Sequence, residues 1–275
     1  ASLLSLRARV LGDKGSGAGA RLRRLASPPC EHGGMTNPAE MFSTLAASRH
    51  SVRAFKPDTV PSDVLDAILA DASAAPSWSN TRPFALALAT GERADRLRAA
   101  YTEEFDRTLD VQHRKPLAAA KLVLSGHAPD GDYKVWKPYP EDLRPHQVEV
   151  ARLLYGAYGV ERHDHEGRDR ANRRNAAAFD APVIGFAFVH KGLMPFSALD
   201  AGIMLQTLWL SAKAHGVDSC PLGILAAWRR PVNAEFDVPR DYALITGFAL
   251  GYADPDAPVN AFRAPRRPVS LIQGR

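Results

Sequence analysis

The chain carries the sequence Ser48-Arg49-His50-Ser51-Val52-Arg53-Ala54-Phe55 at the entrance to its first well-patterned region. Arginine presents a permanently charged fork of N–H donors that matches phosphate oxygens. The hydroxyl of Ser51, between Arg49 and Arg53, adds a neutral donor. Such a cluster suits either a bound phosphate group or an ordinary solvated surface, because arginine is common on protein surfaces. The rest of the chain has to distinguish these two interpretations.

The composition is that of an ordinary globular protein. The chain has 275 residues, of which 45% are hydrophobic and 24% are charged, enough for a sizeable core in one large domain or two small ones. No apolar run approaches the ~20 residues needed to cross a bilayer. The two cysteines, Cys30 and Cys220, are too few for a disulfide framework and fit a reducing compartment, so we expect a cytoplasmic protein.

Most of the net positive charge belongs to the N-terminal segment 1–34. It holds six basic and two acidic residues and thus contributes +4 of the formal net charge of +5. Its Gly-, Ala-, Ser- and Arg-rich composition predicts disorder, and we expect a transit-like or vector-derived extension before a single domain spanning residues 35–275. One alternative function is therefore a nucleic-acid-binding module that works through this basic segment, without any flavin.

Apolar periodicity predicts a mixture of helices and short strands. The predicted helices cover residues 39–47, 62–74, 92–109, 146–158 and 199–215, and the predicted strands cover residues 84–88, 122–124, 183–189 and 242–252. Ser62 is the expected cap of the second helix, and residues 126–144 are expected to form an excursion or lid. The helix 199–215 is apolar on most faces, which is typical of a core or a subunit interface. Because no regular βαβ repeat is present, we predict an α+β fold.

Two loops between these elements also have residue types that suit a planar ligand. In Pro76-Ser77-Trp78-Ser79-Asn80, the amide of Asn80 can donate and accept hydrogen bonds at the imide-like edge of a flavin or a pyrimidine. In Pro221-Leu222-Gly223, the missing Cβ would let a planar ring approach main-chain N–H groups. An Asx-type turn in the first segment and a plain turn in the second are the structural alternatives.

Two charged segments have opposite interpretations. The first is Arg263 and Arg266 near the end of the chain; if folding brings them to Arg49 and Arg53, the four arginines form one phosphate site. The second is His163-Asp164-His165-Glu166, whose His-x-His spacing is compatible with a metal site. We favour a solvated, charged loop for the second segment and expect no metal.

Taken in order, these motifs resemble those of the nitroreductase family of FMN-dependent oxidoreductases. The resemblance covers about residues 42–272 and rests on five segments: Arg49-His50-Ser51-Val52-Arg53-x-Phe55, Ala75-Pro76-Ser77-x-x-Asn80-x-x-Pro83, Asp200-x-Gly202-x-x-x-Gln206, Gly251-Tyr252-x-Asp254-Pro255 and Asn260-x-x-Arg263-x-x-Arg266-x-Pro268. It implies an α+β fold with a central, mostly antiparallel sheet flanked by helices. It also implies an intertwined homodimer with FMN at the interface.

The resemblance also implies roles for individual residues. The FMN phosphate would be held by Arg49, Ser51, Arg53 and Arg266, with His50 and Arg263 nearby. Ser77 and Asn80, with Pro76, would reach the FMN of the other subunit, while Pro221, Leu222 and Gly223 would lie near flavin N5. In place of the Gln and Trp that are usual in the family, the chain has Arg82 and Phe84. With Tyr133 and Trp136, we expect these two residues to shape the acceptor pocket.

The chemistry that the resemblance implies is a ping-pong transfer of hydride. NADH or NADPH would reduce the flavin at N5, and a nitroaromatic, a quinone or a similar flat electrophile would then be reduced at the same place. The flavin carries this chemistry, so no dedicated catalytic side chain is expected. The expected partners are a second copy of the chain and a small-molecule acceptor, with no nucleic acid and no membrane.

Overall fold

Within residues 37–274, the part of the chain that this computed structural model describes, the backbone forms four β-strands and eight α-helices. The strands are β1 (Phe84–Thr90), β2 (Val183–His190), β3 (Asp218–Leu222) and β4 (Tyr242–Gly251). The helices are α1 (Pro38–Ser48), α2 (Ser62–Ala72), α3 (Gly91–Gln112), α4 (Ala118–Leu124), α5 (Arg144–Ala157), α6 (His165–Ala176), α7 (Phe196–Ala214) and α8 (Arg230–Glu235). The predicted disorder of residues 1–34 lies outside the described residues.

The strands form one antiparallel sheet in the order β1-β2-β4-β3. β2 lies inside this sheet, and its residues 183–189 are all buried because helices cover both faces. On one face, Phe186 of β2 belongs to a cluster with Tyr101 of α3 and the fully buried Trp228. On the other face, Ala187 belongs to a cluster with residues of α2 and α7, including Leu208. The predicted α+β fold with a flanked antiparallel sheet is therefore confirmed.

A glycine allows the close packing of β2 against β4. Gly185 faces the ring of Phe248, and a Cβ added at Gly185 would overlap that ring. Phe248 is fully buried and cannot move aside without displacing the core around it.

We therefore expect Gly185→Ala to lower the free energy of unfolding by about 1–3 kcal/mol, the usual cost of overpacking a core. Urea denaturation at a fixed protein concentration measures this loss. Gly156→Ala in α5 is the matched control, because a Cβ there meets nothing within 4 Å. The control should raise stability by up to about 1 kcal/mol. Wild-type stability of Gly185→Ala would contradict the packing.

Two segments differ from the sequence-based prediction in secondary structure. Residues 122–124, predicted as a strand, form the end of helix α4, because three apolar residues are too few to distinguish the two periodicities. The charged segment 163–166, predicted as a loop, begins helix α6 instead. Asp164 is the N-cap of this helix, and its Oδ1 accepts a hydrogen bond from Gly167 N at 2.7 Å.

Two local predictions were also wrong in detail. Ser62 is the first residue of α2 rather than its cap, since Pro61 occupies the cap position and makes no side-chain bond there. Strand β3 was not predicted, because it has five residues and includes Pro221. Proline is tolerated there because β3 lies at the end of the sheet order. Residues 126–143 contain no helix or strand, as predicted for an excursion. Across residues 37–274, no helix is long and apolar enough to span a bilayer.

Candidate functional site

The segment 51–55 runs beside the end of the sheet. Ser51 pairs with Ser219 of β3 in a parallel bridge, and Val52 N donates to Ser219 O at 3.0 Å. Phe55 pairs with Ala253 in an antiparallel bridge just beyond β4. The arginine motif is therefore fixed between β3 and the chain that leaves β4, so Arg49 and Arg53 are carried by a backbone with hydrogen bonds on both sides.

Asn260 joins this segment to the end of the domain. Its side chain is almost completely buried, at 8% exposure. Its Oδ1 accepts from Arg53 N at 2.8 Å, and its Nδ2 donates to Ala54 O at 2.8 Å and to Asp254 O at 2.9 Å. Sequence reasoning quoted Asn260 as part of the last motif but gave it no role. The structure shows that its amide connects the two ends of the domain.

The arginines from the two ends are neighbours, as the sequence suggested they would be if folding brought the two segments together. Burial lowers the pKa of the half-buried Arg49, and the positive charge of Arg266 lowers it further. Burial also lowers the pKa of His50, with the charge of Arg263 acting in the same direction, so His50 is neutral near pH 7. The structure thus brings Arg49, His50, Arg263 and Arg266 close enough for their charges to interact.

The acidic groups around this cluster leave its positive charge in place. Burial raises the pKa of the Cys220 thiol to about 11, against the charge of Arg53 and a hydrogen bond with Ser51. Burial likewise raises the pKa of the Tyr158 phenol to about 12, although Arg53 and Arg174 oppose the shift. Both groups are therefore neutral at pH 7. The Asp218 carboxylate is paired with Lys213 Nζ at 2.7 Å.

These residues fit the phosphate of a flavin nucleotide. Ser219 Oγ and the Tyr158 hydroxyl are buried and have no hydrogen-bond partner among the residues of the described chain. Within residues 37–274, Arg53 Nη1 donates only to the carbonyl of Ser51, at 3.2 Å. Buried polar groups are nearly always paired, so the site has more donors than the protein supplies acceptors. A phosphate group offers several acceptor oxygens for the unpaired donors and two negative charges to balance the arginines.

The loop Pro76–Asn80 lies against the start of α7. Trp78 N donates to Asp200 Oδ2 at 3.0 Å, and Arg82 N donates to Ser77 Oγ at 2.9 Å. The backbone is left-handed at Ser79, Asn80 and Arg82, with φ of 49°, 54° and 50°. No hydrogen bond or ion pair in the described part of the chain joins this loop to the arginine cluster.

The segment Pro221–Gly223 is a strand end rather than the plain turn that sequence reasoning favoured. Leu222 is buried, and Gly223 starts a 3₁₀ segment that runs to Ala227. A Cβ added at Gly223 would meet nothing within 4 Å, so packing within the chain does not require glycine there. The backbone beside β3 is accordingly open to approach by a planar group.

The four residues expected at the acceptor pocket fall into two separate pairs. Tyr133 and Trp136 line one cavity of about 210 Å³ together with Ala227. Phe84 instead packs in the core against Val189 and Ala201, and the guanidinium of Arg82 donates to the carbonyl of Ser73. Neither Arg82 nor Phe84 lines the cavity that contains Tyr133 and Trp136.

The excursion that carries Tyr133 and Trp136 is anchored by acidic side chains. Asp132 is paired with Arg229, and its Oδ2 accepts from Leu244 N at 2.8 Å. Trp136 packs edge-on against Trp228, with 5.4 Å between the ring centroids. The segment is therefore held against the core rather than free in solvent.

The alternative metal site at residues 163–166 has other roles in the structure. Asp164 caps α6, and Arg168 Nη2 lies 3.1 Å from Nδ1 of His165. In residues 37–274, no group of three or more His, Cys, Asp or Glu side chains is arranged to hold a metal ion.

Comparisons with known proteins agree with the fold. Residues 46–252 match the model of the nitroreductase family. The chain is 32% identical over 229 residues to a 4-nitrobenzoate reductase of Pseudomonas putida, a match that covers 82% of this chain and 91% of the relative. It is 30% identical over 251 residues to nitroreductase NfnB of Mycolicibacterium smegmatis, covering 90% and 97% of the two chains.

Solved structures give the same result. The FMN- and NADPH-dependent nitroreductase NfnB from Sphigopyxis sp. strain HMH superposes with a TM-score of 0.72 at 30% identity, covering 85% of this chain and 99% of the other. The FMN-dependent NfnB from Mycobacterium smegmatis, solved in complex with NADPH, gives a TM-score of 0.71 at 28% identity, with 87% and 100% coverage. The fold, the order of the motifs and the family model agree, and the chain belongs to the nitroreductase family.

Proposed function

We propose that this protein is an FMN-dependent oxidoreductase that uses NADH or NADPH to reduce nitroaromatic compounds. The observation that carries the proposal is the positive cluster in which Arg49 and Arg266, from opposite ends of the domain, are neighbours beside buried, unpaired hydroxyls. The names of the relatives support it, since they include 4-nitrobenzoate reductases and FMN- and NADPH-dependent enzymes.

In this proposal the protein binds and orients, and the flavin carries the redox chemistry. Bound FMN supplies reversible hydride transfer between the nicotinamide and the acceptor. Arg49, Arg53 and Arg266 hold the phosphate, with the Ser51 hydroxyl as a neutral donor. The open backbone at Leu222 and Gly223 receives the ring. The reductant and the acceptor bind in turn at the same place. Because solvent supplies the protons that reduction of the acceptor consumes, no side chain of this protein need act as an acid or a base.

We further propose that the active form is a homodimer. Helix α1 has no buried residue and exposes Met41 and Phe42, while α7 exposes Leu199 and Ile203. The C-terminal residues 264–274 form no helix or strand and expose Val269, Leu271 and Ile272. Apolar surface of this extent is typical of an interface. In the dimer, Ser77 and Asn80 of one copy reach the FMN bound by the other.

The proposed acceptor pocket combines aromatic surfaces with a positive charge. Tyr133 and Trp136 offer aromatic surfaces for a flat electrophile, and Arg82 offers a positive charge near Phe84. A nitroaromatic carboxylate would match that charge, and a quinone would use the aromatic surfaces alone.

A visible spectrum of the purified protein tests the proposed function. We expect flavin absorption bands, either as isolated or after incubation with FMN, that bleach on anaerobic addition of NADPH or NADH. Adding 4-nitrobenzoate should then restore the oxidised spectrum, and initial rates should give the parallel double-reciprocal lines of a ping-pong mechanism. A protein that stays colourless after incubation with FMN would overturn the proposal.

Deleting residues 1–34 separates this function from the nucleic-acid alternative. The flavin spectrum should survive the deletion, because the residues that carry the proposal lie within residues 49–266. A nucleic-acid-binding module would instead lose a salt-sensitive affinity for DNA or RNA and would show no chromophore.

A further inference from the structure

Two hydroxyl groups beside the arginine cluster belong to none of the sequence motifs. Ser219 is 2% exposed, and its Oγ has no hydrogen-bond partner among the described residues; the hydroxyl oxygen of Tyr158 is likewise buried and unpaired. A buried, unpaired hydroxyl costs about 1–3 kcal/mol, so native proteins seldom retain one without a reason. Two of them near one cluster of guanidinium groups point to a common ligand.

Both hydroxyls are held in place by the fold. Ser219 lies in β3, where its carbonyl accepts from Val52 N and its backbone is bridged to Ser51, within the arginine motif. Tyr158 directly follows α5, and its N–H donates to Leu154 O at 3.2 Å. Helix α5 packs against the turn Pro258–Ala261, which contains Asn260. This packing directs Tyr158 towards the point where the two ends of the domain meet.

The charged neighbours of Tyr158 are hydrogen-bond donors. Arg53 and Arg174 both act electrostatically on its phenol, and a guanidinium has no lone pair to accept a hydrogen bond. Arg174 Nη2 lies 3.5 Å from the carbonyl of Arg53, so it belongs to the same cluster. The other two neighbours are the neutral thiol of Cys220, a weak acceptor, and the phenol of Tyr155, which donates to Asn172 Oδ1. Neither forms a hydrogen bond with the Tyr158 hydroxyl. The phenol therefore needs an acceptor from outside the chain.

We propose that Tyr158 and Ser219 are phosphate-binding residues, whose hydroxyls donate hydrogen bonds to the phosphate of the bound flavin nucleotide. This inference rests on the proposed function, and it assigns to the phosphate two residues that none of the sequence motifs contains. It makes retention of the cofactor depend on the chain that follows α5. It also makes these two residues selective for FMN over riboflavin, which has the same ring system but no phosphate.

The test compares Tyr158→Phe with Tyr155→Phe, three residues earlier, in the last turn of α5. Tyr155 is the matched control because its hydroxyl already has a partner, Asn172 Oδ1 at 3.2 Å. Quenching of flavin fluorescence gives dissociation constants for FMN and for riboflavin with each flavin-free protein. We expect Tyr158→Phe to weaken FMN binding about tenfold or more and to leave riboflavin binding unchanged. Tyr155→Phe should change neither.

Thermal unfolding of the flavin-free variants separates ligand binding from a structural role. Removing an unpaired hydroxyl should leave the Tm of Tyr158→Phe at or above that of the wild type, whereas a structural hydroxyl would lower it. Ser219→Ala should show the same selective loss of FMN affinity. Unchanged FMN binding in both variants, or equal losses for FMN and riboflavin, would overturn the inference while leaving the proposed function intact. A wild type that fails to bind FMN would overturn both.

Discussion

Asn260→Ala is expected to lower the free energy of unfolding by about 3 kcal/mol. The substitution leaves the buried N–H of Arg53 without its acceptor, which alone costs about 1–3 kcal/mol. It also removes the two bonds that Asn260 Nδ2 donates to Ala54 O and Asp254 O. The loss of these two bonds costs less free energy, because each carbonyl keeps another donor. Ala54 O still accepts from Asp254 N at 3.0 Å, and Asp254 O still accepts from Ala257 N at 3.4 Å.

Urea denaturation of flavin-free protein, at one protein concentration for all variants, measures this loss as a lower midpoint with an unchanged m value. Asn233→Ala is the control: the Oδ1 of Asn233 accepts one bond, from Arg229 Nε at 3.2 Å, at an exposed position. Its effect should stay within about 0.5 kcal/mol. If Asn260→Ala cost no more than Asn233→Ala, its amide would not be what joins the two ends of the domain. Because Arg53 is attached through that amide, FMN retention should fall together with stability.

Much of the fold was predictable because its long elements are strongly patterned. The run 183–189 is apolar at nearly every position, and the structure places it as the buried strand β2. The helix predicted over 199–215 is α7, with Met204 and Leu208 buried, as its apolar sequence implied. The failures are short or charged elements, in which local sequence carries little signal. Strand β3 has only five residues. Helix α6 is mostly polar and charged, so its sequence did not indicate that Ala171 and Ala176 are buried.

Only part of the candidate site could be predicted from the sequence. The arginine motif and the terminal arginines could be recognised by residue type, and the structure places them together. The roles of Asn260, Tyr158 and Ser219 could not, because each depends on a contact between segments far apart in the chain. Tyr158 lies about 100 residues from Arg53 in sequence, directly after helix α5. A phenol with no partner is a property of the folded chain that no motif encodes.

Alkaline pH is expected to destabilise the flavin-free protein through Cys220. Burial raises the pKa of this thiol from 9.0 to about 11 in the folded state. Between these values the unfolded chain releases a proton that the folded chain keeps, so unfolding becomes easier as the pH rises. The contribution of the protonated Cys220 thiol to stability is complete below about pH 9 and is lost as the pH rises through about 11. Two pKa units correspond to about 3 kcal/mol, of which about 2 kcal/mol should be lost by pH 10.5.

Cys220→Ala isolates this contribution, because alanine does not titrate. At pH 7.5 the variant should be less stable than the wild type by about 1–2 kcal/mol, because it leaves a small cavity in the core. At pH 10.5 the two proteins should have nearly equal stability, since the other titrating groups are common to both. A constant difference between them at all pH values would contradict the raised pKa. In a Cys30→Ser background Cys220 is the only thiol, and its absorbance at 240 nm should stay that of the protonated form until the pH approaches 11.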